Sequence, residues 1–443
     1  MVNSRAPWSV ALLAVACGCT VANPLFILPD DGSGGGSTGV ATDTATGTDT
    51  VASTGPAMTT TVGPGTGSAT TSPAMVCGDG VVDPGEDCDD GNDISGDDCE
   101  SNCTPLFRKD PALIPGTTGA TAMAVGDVDA DGKLDVLLAF PDCPGPCVRR
   151  YINNNGLFEF DGNAVGTPVV AAHLVAAQLG GEPGADFAFA ADGFAYIYSE
   201  SGMPISVPQF TGDPESLVAA EIEGGAPADL LIVDDMNGHI NYTIATNGGF
   251  GMAVSISEVS APRRAAVADV DADGATDFIF TAEGGNGVGL WLDLEHDGAP
   301  TGPFATEATT ASALAAGAFA LEPGHSPNAV FFGQVQTGGS LQVYVNKGAG
   351  QYDKFKNNVA AKNDVMALLS PRLNSPTDDS IIAVSPLSFQ IFTLVEGEFK
   401  NGFTWTRNED LLDVAAGELD GDGHTDLVVL TKNNCYILIN QAP

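Results

Sequence analysis

The fold class this sequence predicts is all-β, a seven-bladed β-propeller, and three observations predict it. An acidic stretch between two apolar runs recurs nearly unchanged at "DVDADGKLD" (127–135), "DVDADGATD" (269–277) and "ELDGDGHTD" (418–426). Weaker copies of the same frame fill the intervals at roughly 43- to 51-residue spacing, a period that implies one four-stranded blade per repeat. The flanks of each copy are small or β-branched apolar residues, which suit buried strands better than helices.

The elements follow in chain order. Residues 1–19 read as a targeting segment: Arg5 supplies a positive region and "WSVALLAVA" (8–16) an apolar stretch too short to span a bilayer. "AVACGC" (14–19) then sets small residues before two cysteines. This resembles the lipobox of bacterial lipoproteins, which implies lipidation of Cys17 or Cys19; an ordinary secretory signal is the alternative. Residues 20–76 are Thr, Ser, Gly, Ala and Pro with few large apolar side chains. Such a segment cannot bury enough surface to offset its chain entropy, so it reads as a flexible stalk. "GGSTG" (35–39) matches a nucleophile-elbow pattern but lies in this stalk, outside any strand–turn–helix context.

Residues 77–103, "CGDGVVDPGEDCDDGNDISGDDCESNC", have almost no apolar core, so disulfides must hold them. The stretch resembles the cysteine-rich repeat common in myxobacterial surface proteins. Cys77, Cys88, Cys99 and Cys103 allow three pairings, and the sequence does not choose among them. Asp79, Asp87, Asp89, Asp90 and Asp97 either hold a calcium ion or face water.

The propeller is placed at 104–443. Between the strong copies lie "HLVAAQLGGEPGADFAFAADGFAYIY" (173–198), "LVAAEIEGGAPADLLIVDD" (217–235), "ALAAGAFALEPGHSPNAVFFGQV" (313–335) and "DVMALLSPRLNSPTDDSIIAVS" (364–385). The first two keep some acids; the last two keep only the apolar frame. The final unit ends after its third strand at "CYILINQAP", and "TPLFRKDPALIPG" (104–116) is the candidate for its missing outer strand. Lending that strand would close the ring and protect its edges.

An Asp-x-Asp-x-Asp-Gly loop is a cage for Ca2+, which takes six to eight hard oxygens. The expected ligands are Asp127, Asp129, Asp131, the Lys133 carbonyl and Asp135 in the first copy. The fourth offers Asp269, Asp271, Asp273, the Ala275 carbonyl and Asp277; the seventh offers Glu418, Asp420, Asp422, the His424 carbonyl and Asp426. An EF-hand is excluded, because position twelve is Leu138, Phe280 or Val429 rather than a bidentate Glu. The closing carboxylate stands at position nine instead. These units resemble the FG-GAP and VCBS repeats, the family of the integrin α-subunit propeller and of many bacterial surface proteins. The resemblance implies calcium sites that are mainly structural, stiffening strand-to-strand connections.

The formal charge of −41, from 57 acidic and 16 basic residues, argues against nucleic acid, whose phosphates need clustered Lys and Arg. Any membrane link is expected through a lipid anchor alone. No HExxH, P-loop or dinucleotide fingerprint is present, and the five histidines are scattered. Cys143 and Cys147 are expected to staple a protruding turn, and Cys435 to be a buried small apolar residue. The expectation is therefore a monomeric, non-enzymatic binding or adhesion protein with a protein or glycan ligand. It is placed at the outer membrane or cell surface, or otherwise outside the cell. The alternative is a secreted hydrolase or lyase working at the channel mouth, for which Arg149–Arg150 and Arg263–Arg264 are the basic candidates.

Overall fold

A computed structural model describes residues 76–441 apart from 94, 96–97, 181–182, 192–193, 200, 206–213, 221–226, 235–238, 247–248, 252–253, 257–261, 269–275, 283–287, 292–310, 320–327, 335–339, 347–351, 356–358, 362–364, 374–377 and 396. The targeting segment with Cys17 and Cys19, the stalk, Asp97 and the acids Asp269, Asp271 and Asp273 with Ala275 lie outside the described residues. The described elements are all strands, and the fold is a β-propeller.

The first sheet shows how a repeat becomes a blade. Ala122–Gly126, Asp135–Phe140, Cys147–Asn153 and Phe158–Gly166 form a four-stranded antiparallel meander. Its first two strands are buried on both faces, which is why they read as near-continuous apolar runs. Its last strand is mostly exposed. The second sheet opens with Ala172–Ala177 and the third with Pro214–Ala220. The fourth contains Pro262–Ala268, Asp277–Ala282 and Val288–Trp291. The fifth opens with Ala311–Ala318 and the sixth with Ala367–Leu369.

Against the expectation of seven four-stranded blades, five sheets are complete four-stranded meanders in chain order. The fourth has three strands among the described residues. Besides a two-stranded ribbon of Ala245–Thr246 and Gly249–Phe250, one further sheet joins both ends of the chain: Leu411–Gly417, Asp426–Thr431 and Cys435–Leu438 are completed by Ala112–Ile114. The pairs Ala112↔Ile437, Leu113↔Tyr436 and Ile114↔Cys435 fasten that outer strand. Upstream, Leu106 and Phe107 are buried, and the Arg108 N–H donates to Ile439 O at 3.0 Å.

The first strand of each sheet lies against the first strand of the next from the first sheet to the sixth, and the closing sheet's lies against that of the first sheet. Ala367 and Leu369 of the sixth sheet share a cluster with Val414 and Ala416 of the closing one, which completes the circuit. Close approach is bought with glycine at the ends of these inner strands. A Cβ on Gly417 would lie 2.5 Å from Leu134 Cδ1, and one on Gly126 would lie 2.8 Å from Ala176 Cβ.

The cysteine module is pinned by Cys77–Cys103 and Cys88–Cys99, which selects one of the three possible pairings. Cys143–Cys147 staples the turn after the second strand of the first sheet. Cys435 is fully buried and free, as expected of a small apolar residue.

Candidate metal centres

Two turns assemble carboxylates. In the first, ligand oxygens of Asp127, Asp129 and Asp135 all lie within 4.8 Å of one another; in the other, those of Glu418, Asp420 and Asp426 do. Positions one, three and nine therefore converge in both turns. Position five does not join them. Asp131 is turned to Lys133, whose Nζ lies 2.7 Å from Asp131 Oδ2 and whose N–H donates to Oδ1 at 2.9 Å. Asp422 likewise accepts the His424 N–H at 2.8 Å. Three carboxylates are thus brought together in each turn, and the fifth-position side chain caps the turn's own backbone. Lys133 and His424 enter through those N–H groups. Of the fourth unit's ligands only Asp277 is described, and it is fully buried.

The backbone explains how the acids are held. Asp127 accepts the N–H groups of Asp131 at 3.1 Å and Gly132 at 2.9 Å. Gly132 has φ 86°, a left-handed conformation that glycine adopts without steric cost. Asp135 is fully buried, and its two oxygens accept Val128 N–H at 2.9 Å and Asn153 N–H at 2.8 Å. Asp426 repeats this with Leu419 N–H at 2.9 Å and Asn440 N–H at 2.7 Å.

These asparagines tie neighbouring sheets together, and sequence reasoning missed them. Asn153 Nδ2 donates to Leu134 O at 3.0 Å in its own sheet and to Leu419 O at 2.7 Å in the closing sheet. Asn440 Nδ2 donates to Thr425 O at 3.1 Å and to Leu373 O, also at 3.1 Å, in the sixth. The available signal was a shared Ile-Asn at or just past the strand end, "YIN" at 151–153 and "LIN" at 438–440.

Burial and like charge act together on the closing acids. Burial, opposed by the two backbone bonds and reinforced by Asp129 and Asp127, pushes the Asp135 carboxyl up to about 7. Burial, with Asp420 and Asp422 nearby, pushes Asp426 up to about 7. Asp127 is raised by burial and by the same crowding. An all-oxygen donor set whose ionisation is held back by neighbouring carboxylates fits a hard divalent cation, which would relieve that repulsion.

The degenerate turns of the second and third sheets keep the closing acid. Asp186 is fully buried and accepts Leu179 N–H at 3.0 Å and Gly180 N–H. Asp229 is buried and accepts Ala245 N–H at 2.6 Å. In the cysteine module, Asp89 accepts four backbone N–H groups, from Gly78, Asp79, Gly80 and Gly91. Those bonds outweigh desolvation and hold its carboxyl below the ordinary value. Asp90 accepts Cys99 N–H at 3.2 Å. Among the described residues the module forms no metal-type group, and its acids act as caps for loops that have no ladder.

No family model matches the chain, and no curated protein matches it. Solved structures do. BBS1N in a complex with ARL6DN, soaked with mercury, is similar at TM-score 0.57 and 12% identity, covering 76% of this chain and 97% of that one. The same complex soaked with lead gives TM-score 0.55 and 13% identity, covering 76% and 98%. The WD40 domain of Toxoplasma gondii coronin follows at TM-score 0.47 and 11% identity, covering 76% and 84%. At these identities the likeness is one of fold, and that fold is the β-propeller.

Proposed function

We propose that this chain is a non-catalytic binding or adhesion protein of the cell envelope, built on a calcium-stabilised propeller of FG-GAP/VCBS type. In this reading the ring has seven units, counting the three-stranded sheet and the sheet closed by Ala112–Ile114. The segment 20–76 is the stalk, Cys17 or Cys19 carries the lipid, and the chain acts as a monomer. The observation that carries the reading is where the acids converge. Both three-carboxylate groups sit in turns between the first and second strands of a sheet, held by backbone N–H groups and joined to neighbouring sheets through Asn153 and Asn440. A cation there stiffens a connection. Asp127, Asp129 and Asp135, and Glu418, Asp420 and Asp426, would hold it.

Two of the basic candidates for catalysis have structural partners. The Arg149 guanidinium lies 4.3 Å from the Phe140 ring centre and 5.5 Å from that of Phe160. Arg150 pairs with Asp161 at 2.5 Å. That favours a protein or glycan ligand on the loop-lined faces over a reaction at the channel mouth. BBS1N, a neighbour in fold, is seen in a complex with ARL6DN, so a propeller of this size can serve as a docking platform. The test is an array of glycans and envelope proteins probed with the calcium-loaded full chain, run beside a panel of glycosidase and lyase substrates. Saturable binding without turnover is expected. Turnover that survives in variants lacking both acidic turns would overturn the reading.

A further inference from the structure

The segment 406–411 joins the last strand of the sixth sheet to Leu411–Gly417, the first strand of the closing sheet. That strand runs toward the acidic turn at 418–426, so the segment stands at the other end of the ring axis. Two hairpin turns lie against it. The Arg407 N–H donates to Leu387 O at 3.0 Å and the Leu411 N–H to Pro386 O at 2.8 Å, which fastens the segment to the sixth sheet. The Lys432 N–H donates to Asp410 O at 2.9 Å, which fastens it to the closing sheet. The backbone of Arg407 is thus fixed although it belongs to no strand.

Its side chain is fixed as well. The guanidinium carbon lies 4.7 Å from the Trp405 ring centre and 5.2 Å from that of Tyr436, and those rings meet edge to face at 5.6 Å. Stacking of this kind holds the guanidinium plane without using its donors. Arg108, Arg150 and Arg372 each have a carboxylate oxygen within 3.5 Å; Arg407 has none among the described residues. Its Nε is buried and has no hydrogen-bond partner. Glu409, the acid nearest in sequence, is committed elsewhere: it accepts the Tyr436 hydroxyl at 2.8 Å, Asn433 Nδ2 at 2.9 Å and Asn434 Nδ2 at 3.4 Å. In a chain with 57 acidic and 16 basic residues, an arginine kept from every acid leaves its donors for a ligand.

We propose that Arg407, framed by Trp405 and Tyr436, receives a carboxylate of a protein partner, from an acidic side chain or a chain terminus. A guanidinium fork matches a carboxylate in a planar two-bond pairing. Against burial, hydrogen bonds from Tyr436, Asn433, Thr431 and Asn434 hold the Glu409 carboxyl below the ordinary value. That ionised neighbour disfavours a dianion such as a phosphate group. A sugar acid would stack on an open ring, but Trp405 is 6% exposed and already covered by Arg407 and by Phe389, stacked at 5.4 Å. What stands open beside Arg407 is Leu387, 46% exposed, with Pro386 exposed next to it. An apolar side chain flanking the carboxylate would cover them, which favours a peptide over a glycan. Such a site rests on the binding reading above and gives the partner its chemistry.

The test titrates the calcium-loaded full chain with the capped dipeptides leucyl-aspartate and leucyl-asparagine, with glucuronate and with methyl phosphate, at matched ionic strength. Saturation-transfer NMR reads the binding. Leucyl-aspartate should bind saturably and leucyl-asparagine about tenfold more weakly, the scale of one lost hydrogen bond to a charged group. Arg407→Lys keeps the charge without the fork and should also weaken leucyl-aspartate about tenfold. Leu387→Ser should weaken it about threefold, through lost apolar contact. An arginine that only braces the rings would lower the melting temperature in Arg407→Lys and leave peptide binding unchanged, which would overturn the site. No saturable binding of leucyl-aspartate, equal binding of the two dipeptides, or tighter binding of glucuronate or methyl phosphate would overturn it too. A protein from the envelope array that binds Arg407→Lys as tightly as the wild type would overturn this site and leave the binding reading standing.

Discussion

The turn at 127–135 and the turn at 178–186 share a backbone device and differ in charge. Both close on a fully buried aspartate that accepts the N–H seven residues earlier, Val128 for Asp135 and Leu179 for Asp186. Only the first places acids at positions one and three; the second has Gln178 and Gly180 there. The closing aspartate is therefore a folding device that the ring uses with or without metal. Metal capacity is an addition made at the first and third positions.

The comparison is most exposed to failure at the closing residue. Asp135→Ala and Asp186→Ala should each cost about 3 kcal/mol in EDTA, because each strands two buried N–H groups. Urea denaturation measures both losses. A cost for Asp186→Ala below about 1 kcal/mol would mean that the second turn does not need its acid. Asn153→Ala comes next, at about 2 kcal/mol, since it removes two buried amide bonds, one of them between sheets.

The dependence on pH separates the two roles of Asp135 and Asp426. Their folded carboxyls titrate near 7, above the ordinary 3.8, so the folded metal-free chain holds protons that the unfolded chain releases. Their contribution to stability is then most favourable below about pH 4 and declines as pH rises through 7. In EDTA the urea midpoint should fall between pH 5 and pH 7.5, and calcium should flatten that fall by replacing the protons. A midpoint independent of pH in EDTA would contradict the crowding of charge in these turns. The smallest effect belongs to Asp131→Ala: a change within about 0.5 kcal/mol and near-normal calcium affinity, because its carboxylate serves an exposed pair with Lys133. Asp129→Ala, by contrast, should abolish calcium binding in the first turn.

Much of this was legible in the sequence because repeats report on one another. Three near-identical acidic stretches gave the frame, and the apolar runs around them gave two-sided burial. The outer strand supplied by 112–114 was legible because the last unit visibly lacks one. What stayed hidden depends on side-chain direction. Asp131 and Asp422 stand at ligand spacing, and only the structure shows that each accepts the backbone N–H two residues on, at Lys133 and His424. Asn153 and Asn440 look like strand-end polar residues until the neighbouring sheet brings Leu419 and Leu373 carbonyls to them. The pairing of the four clustered cysteines likewise needed coordinates, since their spacing permits every combination.

The central claim is that a hard cation fills the turns at 127–135 and 418–426 and stiffens the seam where the chain closes on itself. Thermal melting of the full chain in EDTA, then with added millimolar calcium, tests it directly, beside a variant carrying Asp127→Asn and Glu418→Gln. The melting temperature of the wild type should rise by several degrees with calcium, and that of the variant should not move. Equal melting of the wild type in EDTA and in calcium would contradict it.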